Sequence, residues 1–228
     1  MFFRFFLWVG LVLAVTGCAS ALDKKAESVD LSKESIVVFS LDLVNEFKPG
    51  FPASSLTGLI SKLEKPGSAE RTGLGPFNPT AIDPVSKIAV ISKKLAPGRY
   101  TIGRIQGLIT QFIFRAQLDF AVNAPFEVVP NSVIYLGHLS LVNKEIKDRD
   151  DQASGFAVPL IDQLVSGMSQ GTLRVKLEDR YDSTVKQLKE DYRSLRNLDI
   201  VRAPLASITL ERSTGSKAAP VEVALSQP

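Results

Sequence analysis

The stretch SIVVFSLDLV, residues 35–44, decides the fold of this chain. Every second side chain in it is apolar: Val37, Phe39, Leu41 and Leu43. Ser40 and Asp42 lie between them and fall on the other face. Because successive side chains of a β-strand point to opposite faces of a sheet, this period of two indicates a half-buried strand. We therefore predict that a β-domain begins here.

The same alternation recurs in FRAQLDFAV (114–122) and in TLRVKL (172–177). In the latter, the predicted inward positions are Leu173, Val175 and Leu177. Further apolar runs are bounded by Gly, Pro or Asn: residues 87–92, 98–105, 126–129, 132–142, 199–203 and 207–212. Roughly eight short strands separated by turn residues are typical of a sandwich. The pattern predicts an all-β fold, an antiparallel β-sandwich over residues 36–212.

One helix interrupts the strands, in YDSTVKQLKEDYRSL, residues 181–195. Its apolar side chains recur at helical spacing: Val185, Leu188, Tyr192 and Leu195. Asp182 or Ser183 is the expected N-cap, because a short polar side chain there accepts a hydrogen bond from the first turn. We predict that this α-helix of the C-terminal half packs at the edge of the sandwich.

Residues 44–86 differ from the rest in composition and hold six of the thirteen prolines. Only SLTGLISKL (55–63) has the pattern of a regular element, so we predict a loop-rich insertion, and such long loops tend to be functional or disordered. Its aromatic side chains are candidate partner-binding residues or caps of the core: Phe47, Phe51 and Phe77. The polar tail, residues 213–228, is predicted to be disordered.

The N-terminus has the architecture of a secretory signal. Arg4 supplies the positive charge, Phe5–Val15 is apolar, and small residues then precede Cys18, the only cysteine of the chain. The tetrapeptide VTGC (15–18) closely resembles the lipobox of bacterial lipoproteins, in which an aliphatic residue and two small ones lead into a cysteine. The resemblance implies that residues 1–17, an apolar helix, are a lipoprotein signal peptide.

The lipobox resemblance also implies what happens to Cys18. In such proteins the thiol receives a diacylglyceryl group, the chain is cut before the cysteine, and the freed amine is acylated in many bacteria with a fatty acid such as palmitate. Ala19, in place of Asp, implies sorting to the outer membrane. Two or three acyl chains hold a protein on a bilayer almost permanently. The polar residues 18–35 are then predicted to be a flexible tether.

Two other interpretations of the N-terminus stay open. The tripeptide ASA (19–21) fits an ordinary cleavage site, which would release a chain that starts at Leu22. Residues Phe5–Leu22 carry no charge and nearly reach the length of about 20 residues that a transmembrane helix needs.

Two further segments carry a second resemblance: LAPGRYTI (95–102) and FEVVPNSVIYLGHLSL (126–141). Together they resemble a set of uncharacterised bacterial lipoproteins with a transthyretin-like or carboxypeptidase-regulatory-like β-sandwich, a fold close in type to the immunoglobulin sandwich. The resemblance implies a non-enzymatic envelope domain. Within it, Asn131 is expected in a turn, since Asn tolerates the left-handed region. Gly137 inside a strand predicts a bulge or close packing by a neighbour.

Charge and residue types exclude several classes of function. The formal net charge is only +3, and no basic run with interleaved aromatic residues is present, which argues against nucleic-acid binding. His138, the only histidine, alternates with Ile134, Leu136 and Ser140 on one strand face and is expected to be a satisfied core or edge residue. One histidine makes a histidine-rich zinc site impossible, and the acidic stretch 145–151 lacks calcium-loop spacing. We expect no catalytic residue, no metal and no cofactor.

The sequence therefore predicts a lipid-anchored protein of the cell envelope, at the outer membrane and facing the periplasm. It is expected to act as a non-enzymatic interaction or structural module. Its partners would be the bilayer, through Cys18, and another envelope protein or the cell-wall polymer, approached through residues 44–86. The alternatives are a hydrolase that uses two carboxylates and a small-ligand carrier, which needs an apolar cavity of about 300 Å³ or more between the sheets.

Overall fold

The computed structural model describes residues 22–52, 55–63, 71–77, 79, 81–82, 88–111, 114–147 and 171–211. Their strands, numbered in chain order, are β1 Ser35–Asn45, β2 Ser55–Leu63, β3 Arg71–Phe77, β4 Ala81–Ile82, β5 Ala89–Leu95, β6 Gly98–Gln111, β7 Phe114–Val128, β8 Val133–Glu145, β9 Gly171–Glu178, β10 Ile200–Arg202 and β11 Thr209–Glu211. The helix α1 covers Tyr181–Asp191 and a single 3-10 turn covers Arg193–Leu195.

The strands form two sheets, as an all-β sandwich requires. In the first sheet, sheet A, the order is β10-β8-β1-β5-β4, and β9 also pairs with β8. The strand β8 therefore shares one edge between two partners, with β10 beside residues 133–135 and β9 beside residues 138–145. The second sheet, sheet B, has the order β11-β7-β6-β2-β3.

The prediction that every strand pair is antiparallel is wrong for sheet A. The strand β1 runs parallel to β8, and β8 runs parallel to β10. A parallel pair needs a long crossover connection, and the chain makes one between β1 and β8 by building most of sheet B in between. Sheet A is therefore mixed, whereas the pairs of sheet B are antiparallel.

An apolar layer between the two sheets, which we call the inter-sheet core, holds the sandwich together. It draws Phe39, Ile91 and Leu139 from sheet A and Ile60, Ile102 and Val122 from sheet B, all fully buried. In β9 the predicted alternation is confirmed: Leu173, Val175 and Leu177 are buried, and Arg174 and Lys176 are exposed. Each buried aliphatic side chain of this kind contributes about 1.5–3 kcal/mol.

The opposite face of sheet A is also covered, so the prediction that β1 is half-buried is wrong. Ile36, Val38 and Val90 on this face pack with Leu188 and Tyr192 in a second group, the helix-side cluster. The helix α1 thus lies against the face of the sheet and not at its edge as predicted. It begins at Tyr181, two or three residues earlier than the expected N-caps Asp182 or Ser183 would place it, after an N-cap at Arg180 that makes no side-chain cap bond.

Part of the predicted tether also belongs to this layer. Leu22 is only 7% exposed within the helix-side cluster, and Val29 and Leu31 pack against it. The structure therefore places residues 22–34 on the folded domain. Within the described ranges no helix is long and apolar enough to cross a membrane; the predicted signal peptide lies outside them.

The predicted insertion contains more regular structure than expected. The strand β2 coincides with the SLTGLISKL stretch, but β3 and β4 also form in the region expected to be loop-rich. Three of the seven residues of β3 (RTGLGPF) are Gly or Pro, which are rare in strands. Pairing with β2 orders this segment despite its composition. The predicted tail lies outside the described residues.

Candidate functional site

A β-bulge at Gly137 shapes a buried polar group of side chains that crosses the middle strands β1 and β8 of sheet A. Along β1 and β8, Val38 pairs with Tyr135 and Ser40 pairs with His138, so β8 carries one extra residue between the two pairs. Gly137 has a φ of +112°, and a Cβ there would lie 2.8 Å from Cδ1 of Leu177. The prediction of a bulge with a close neighbour at Gly137 is confirmed.

The bulge reverses which residues of β8 face the helix. Before it, Ile134 and Leu136 face the inter-sheet core, and after it Leu139 does so. His138 consequently faces the same side as Ser40, under α1. The prediction that His138 shares a face with Ile134 and Leu136 is wrong, because it counted residues across the bulge as if the strand were regular.

The bulge brings the single histidine between two polar side chains of β1. The Oγ of Ser40 lies 2.9 Å from Nδ1 of His138. On the other side of the ring, Nε2 lies 3.6 Å from Oδ2 of Asp42, within ion-pair range but beyond hydrogen-bond length. With a proton on Nε2 facing the carboxylate, Nδ1 accepts the hydrogen bond of the Ser40 hydroxyl.

The helix closes this group from above. The Oγ1 of Thr184, in α1, lies 3.3 Å from the Oγ of Ser40. Just before the helix, the backbone N–H of Arg180 donates to the hydroxyl of Tyr135 at 3.1 Å. The hydrogen bonds thus run from two strands of the sheet into the start of α1 and fix the helix on the sheet.

Burial and neighbouring charges act in opposite directions on the acid of this group. Burial alone raises the pKa of the Asp42 carboxyl, but polar contact with His138 and Ser140, together with the positive charge of Arg180, outweighs it and holds that pKa below its usual value. Burial raises the pKa of the Tyr135 hydroxyl. Asp42 is therefore a carboxylate near neutral pH, and Tyr135 stays protonated.

Ser, His and Asp together are the residue types of an acyl-transfer triad, and access decides whether they can act as one. A nucleophilic serine must reach a substrate carbonyl. Ser40 and His138 are both 0% exposed, and the Asp42 side chain is 13% exposed. In this arrangement the Ser40 hydroxyl contacts His138 and Thr184 of α1, and none of the surface of Ser40 is exposed. What the group can do chemically is to bind α1 to sheet A.

A small cavity lies beside the bulge, where β10 ends and β9 approaches the same edge of β8. Its volume is about 150 Å³, and its lining is Tyr135, Gly137, Leu177, Glu178, Asp179, Arg202 and Pro204. The charged side chains at its rim already have partners. Nη1 of Arg202 lies 2.9 Å from Oδ2 of Asp179, and Cζ of Arg202 lies 4.2 Å from the ring centre of Tyr181. The Glu178 carboxylate accepts a hydrogen bond from Nη2 of Arg180 at 3.0 Å.

The residues predicted as partner-binding lie apart from the polar group. Phe51 is half-buried against the inter-sheet core, and Phe47 is half-buried with Nζ of Lys48 5.2 Å from its ring centre. Phe77 ends β3 opposite Gly58. Cys18, the predicted lipid attachment site, lies outside the described residues. Among those residues, no three His, Cys, Asp or Glu side chains are grouped to hold a metal ion.

The contact of His138 with Ser40 and Asp42 was not predicted from the sequence. The signal for it was incomplete: the alternation of β1 places Ser40 and Asp42 on one face, and Gly137 predicts a bulge, but the parallel pairing of β1 with β8 was not predicted. Comparisons of the chain with protein families, with curated proteins and with solved structures found no match.

Proposed function

We propose that this chain is an exported lipoprotein, anchored through acylated Cys18 and acting as a non-enzymatic interaction or structural module of the cell envelope. The lipobox VTGC (15–18) supports the anchor. We place it at the outer membrane, facing the periplasm, because Ala19 follows the cysteine. The two-sheet architecture is compatible with a transthyretin-like or immunoglobulin-like sandwich, and the parallel pair β1–β8 is a departure from the purely antiparallel form.

The complete burial of Ser40 and His138 is the observation that supports a non-enzymatic function. His138 contacts Ser40, and Ser40 in turn contacts Thr184 of α1. The one histidine of the chain therefore has a structural role in attaching the helix. Among the described residues, the cavity at Gly137 does not support the carrier alternative, because it has about half the volume that a ligand pocket usually needs and lies at a sheet edge, not between the sheets.

The proposed partner is another envelope protein or the cell-wall polymer. The end of β1 leads into the segment that begins the predicted insertion, and half-buried Phe47 lies there beside Lys48. Aromatic side chains, including Phe, are enriched at protein–protein interfaces. Crosslinking from this segment in intact cells would identify what it contacts.

The experiment that tests the anchor is mass spectrometry of the N-terminal peptide from membrane-isolated protein, alongside the Cys18→Ala variant. We expect a peptide that begins at Cys18 with added acyl mass, and a variant that no longer fractionates with membranes. A peptide that begins at Leu22 would contradict the lipid anchor and would indicate a freely exported protein. An intact Met1 with unmodified Cys18 would instead mean a transmembrane helix.

A further inference from the structure

The first described residue of the chain is fixed on the domain. Leu22 is 7% exposed and belongs to the helix-side cluster with Leu188, Tyr192 and Leu195. Burial of a leucine side chain stabilises such a contact by about 1.5–3 kcal/mol. The chain therefore leaves the domain at a defined point on its surface.

The residues that follow Leu22 mark where this point lies. The Nζ of Lys24 is 3.8 Å from Oδ2 of Asp191 and 5.6 Å from the ring centre of Tyr192. The carboxylate of Glu27 lies 2.9 Å from the guanidinium of Arg193. Residues 22–27 thus run beside the C-terminal end of α1 and the 3-10 turn. We call the surface formed by residues 22–27 and 189–196 the exit surface.

The connection from Cys18 to the exit surface is short. Four residue steps separate Cys18 from Leu22, and a fully extended chain spans at most about 3.6 Å per step, so the two Cα atoms are at most about 14 Å apart. A flexible tether of the predicted length would have held the domain about 20 Å away on average, in any orientation. A 14 Å limit does not allow free rotation of a sandwich with an added helical layer.

We propose that the exit surface lies against the phospholipid headgroups of the bilayer that holds Cys18, and that the outer face of sheet B points away from that bilayer. This inference rests on the proposed lipid anchor at Cys18. Sheets pack about 10 Å apart, and the helix adds a layer of similar thickness. The outer face of sheet B is therefore about 20 Å farther from the lipid than the exit surface.

The side chains of the exit surface fit headgroups rather than the apolar interior. Both signs of charge are present there: the cations are Lys24, Lys25, Lys189, Arg193 and Arg196, and the acids are Asp23, Glu27, Glu190 and Asp191. The large apolar side chains that are exposed among the described residues lie elsewhere: Val44, Leu59, Leu108, Val129 and Val201. A surface of mixed charge complements zwitterionic headgroups, which carry both a phosphate and an ammonium group.

The chain offers a direct test, because Cys18 is its only cysteine and acylation blocks the thiol. A second cysteine can then be labelled alone in the full-length lipidated protein. Lys25→Cys places a fluorophore on the exit surface, and Leu59→Cys places one on the outer face of sheet B, where Leu59 is 36% exposed. Both proteins are reconstituted into phosphatidylethanolamine vesicles that contain headgroup-nitroxide lipid, and quenching of each label is measured.

We expect several-fold stronger quenching at position 25 than at position 59. Equal quenching, or stronger quenching at position 59, would overturn the proposed orientation. Flotation of the vesicles tests the anchor separately: protein that fails to float with them contradicts the lipid anchor itself, whatever the labels report.

A third variant tests the role of the short connection. Twelve Gly/Ser residues are inserted between Ala21 and Leu22, which leaves the lipid and the domain unchanged and lengthens only the link. We expect the protein to float as before and the quenching at position 25 to fall severalfold. Unchanged quenching would contradict the inference that the short link holds the exit surface on the bilayer.

Discussion

Ser40 and His138 are 98 positions apart in the chain, yet their side chains meet at 2.9 Å between Oγ and Nδ1 across the parallel pair β1–β8. They meet because β8 carries one extra residue at Gly137, which turns His138 out of the inter-sheet core and under α1. One backbone irregularity therefore determines which face of the sheet holds the histidine and how the helix is attached.

Replacing Gly137 by alanine is expected to destabilise the domain by about 1–3 kcal/mol, the cost of a side chain in a sparsely populated backbone region. The added Cβ would also approach Leu177 to 2.8 Å. The free energy of unfolding, measured by urea denaturation, checks this. Gly50→Ala is the matched control, because nothing lies within 4 Å of a Cβ there; equal losses in the two variants would contradict the role of the bulge.

Ser40→Ala is expected to lower the free energy of unfolding by about 1–3 kcal/mol, since it leaves the buried Nδ1 of His138 without its hydrogen-bond partner. Ser207→Ala, at an exposed position, is expected to change stability by less than about 0.5 kcal/mol. Thermal or urea unfolding distinguishes the two. A Ser40 variant as stable as the Ser207 variant would show that the polar group does not hold α1 to the sheet.

The Asp42 carboxylate is expected to make the free energy of unfolding depend on pH in the acidic range. Because its pKa in the folded state lies below the usual value of 3.8, its contribution is fully present above pH 3.8 and is lost as the pH falls through the folded-state pKa. Urea unfolding between pH 6 and pH 2.5 should therefore show a smaller loss of stability for Asp42→Asn than for the natural chain.

Asp30→Asn serves as the comparison for that titration. The pKa of Asp30 is also lowered, by hydrogen bonds from the backbone and hydroxyl of Ser32, but Asp30 is fully exposed. Because interactions of an exposed carboxylate contribute little to stability, removing Asp30 should change the acid dependence less than removing Asp42 does. An equally small change for Asp42→Asn would mean that His138 and Ser140 do not stabilise the charged form of Asp42.

Substitutions of Phe47 and Phe51, near the end of β1, should distinguish a role in packing from a role in binding. Phe51 packs against the inter-sheet core, so Phe51→Ala is expected to cost about 1–3 kcal/mol of stability. Phe47→Ala is expected to cost less than about 1 kcal/mol, because its described aromatic contact is with the exposed side chain of Lys48. If only Phe47→Ala reduces crosslinking to envelope partners in cells, Phe47 belongs to the binding surface; unchanged crosslinking would remove it from that surface.

The sequence predicted the burial of a strand well where burial depends on the strand's own alternation. It predicted burial poorly where a segment distant in the sequence covers the strand. The alternation in TLRVKL (172–177) predicted the burial of Leu173, Val175 and Leu177 and the exposure of Arg174 and Lys176, because period two reports directly on a sheet face. In β1 the same reasoning failed for Ile36 and Val38, because a helix nearly 150 residues later covers the face that looked solvent-exposed. Nothing in the local pattern of β1 carries information about that helix.

The candidate site was predictable only in its separate parts. Gly137 indicated the bulge, and Ser40 with Asp42 indicated one polar face, from local chemistry alone. Their assembly around His138 required the parallel register of β1 and β8, which depends on the whole of sheet B lying between the two strands in sequence. Likewise, β3 forms through pairing with β2, and its Gly- and Pro-rich composition gave no local signal for a strand.

The strand β1 lies in the middle of sheet A, between β5 and β8, so the sheet cannot assemble in the order of the sequence. A chain emerging from its N-terminal side would hold β1 without either neighbour for some forty residues, and without β8 for nearly ninety. Contacts of such long sequence separation make folding slow. For the exported lipoprotein proposed above, this delay would be useful, because the chain would stay unfolded, and therefore able to cross a membrane, until most of it had been made.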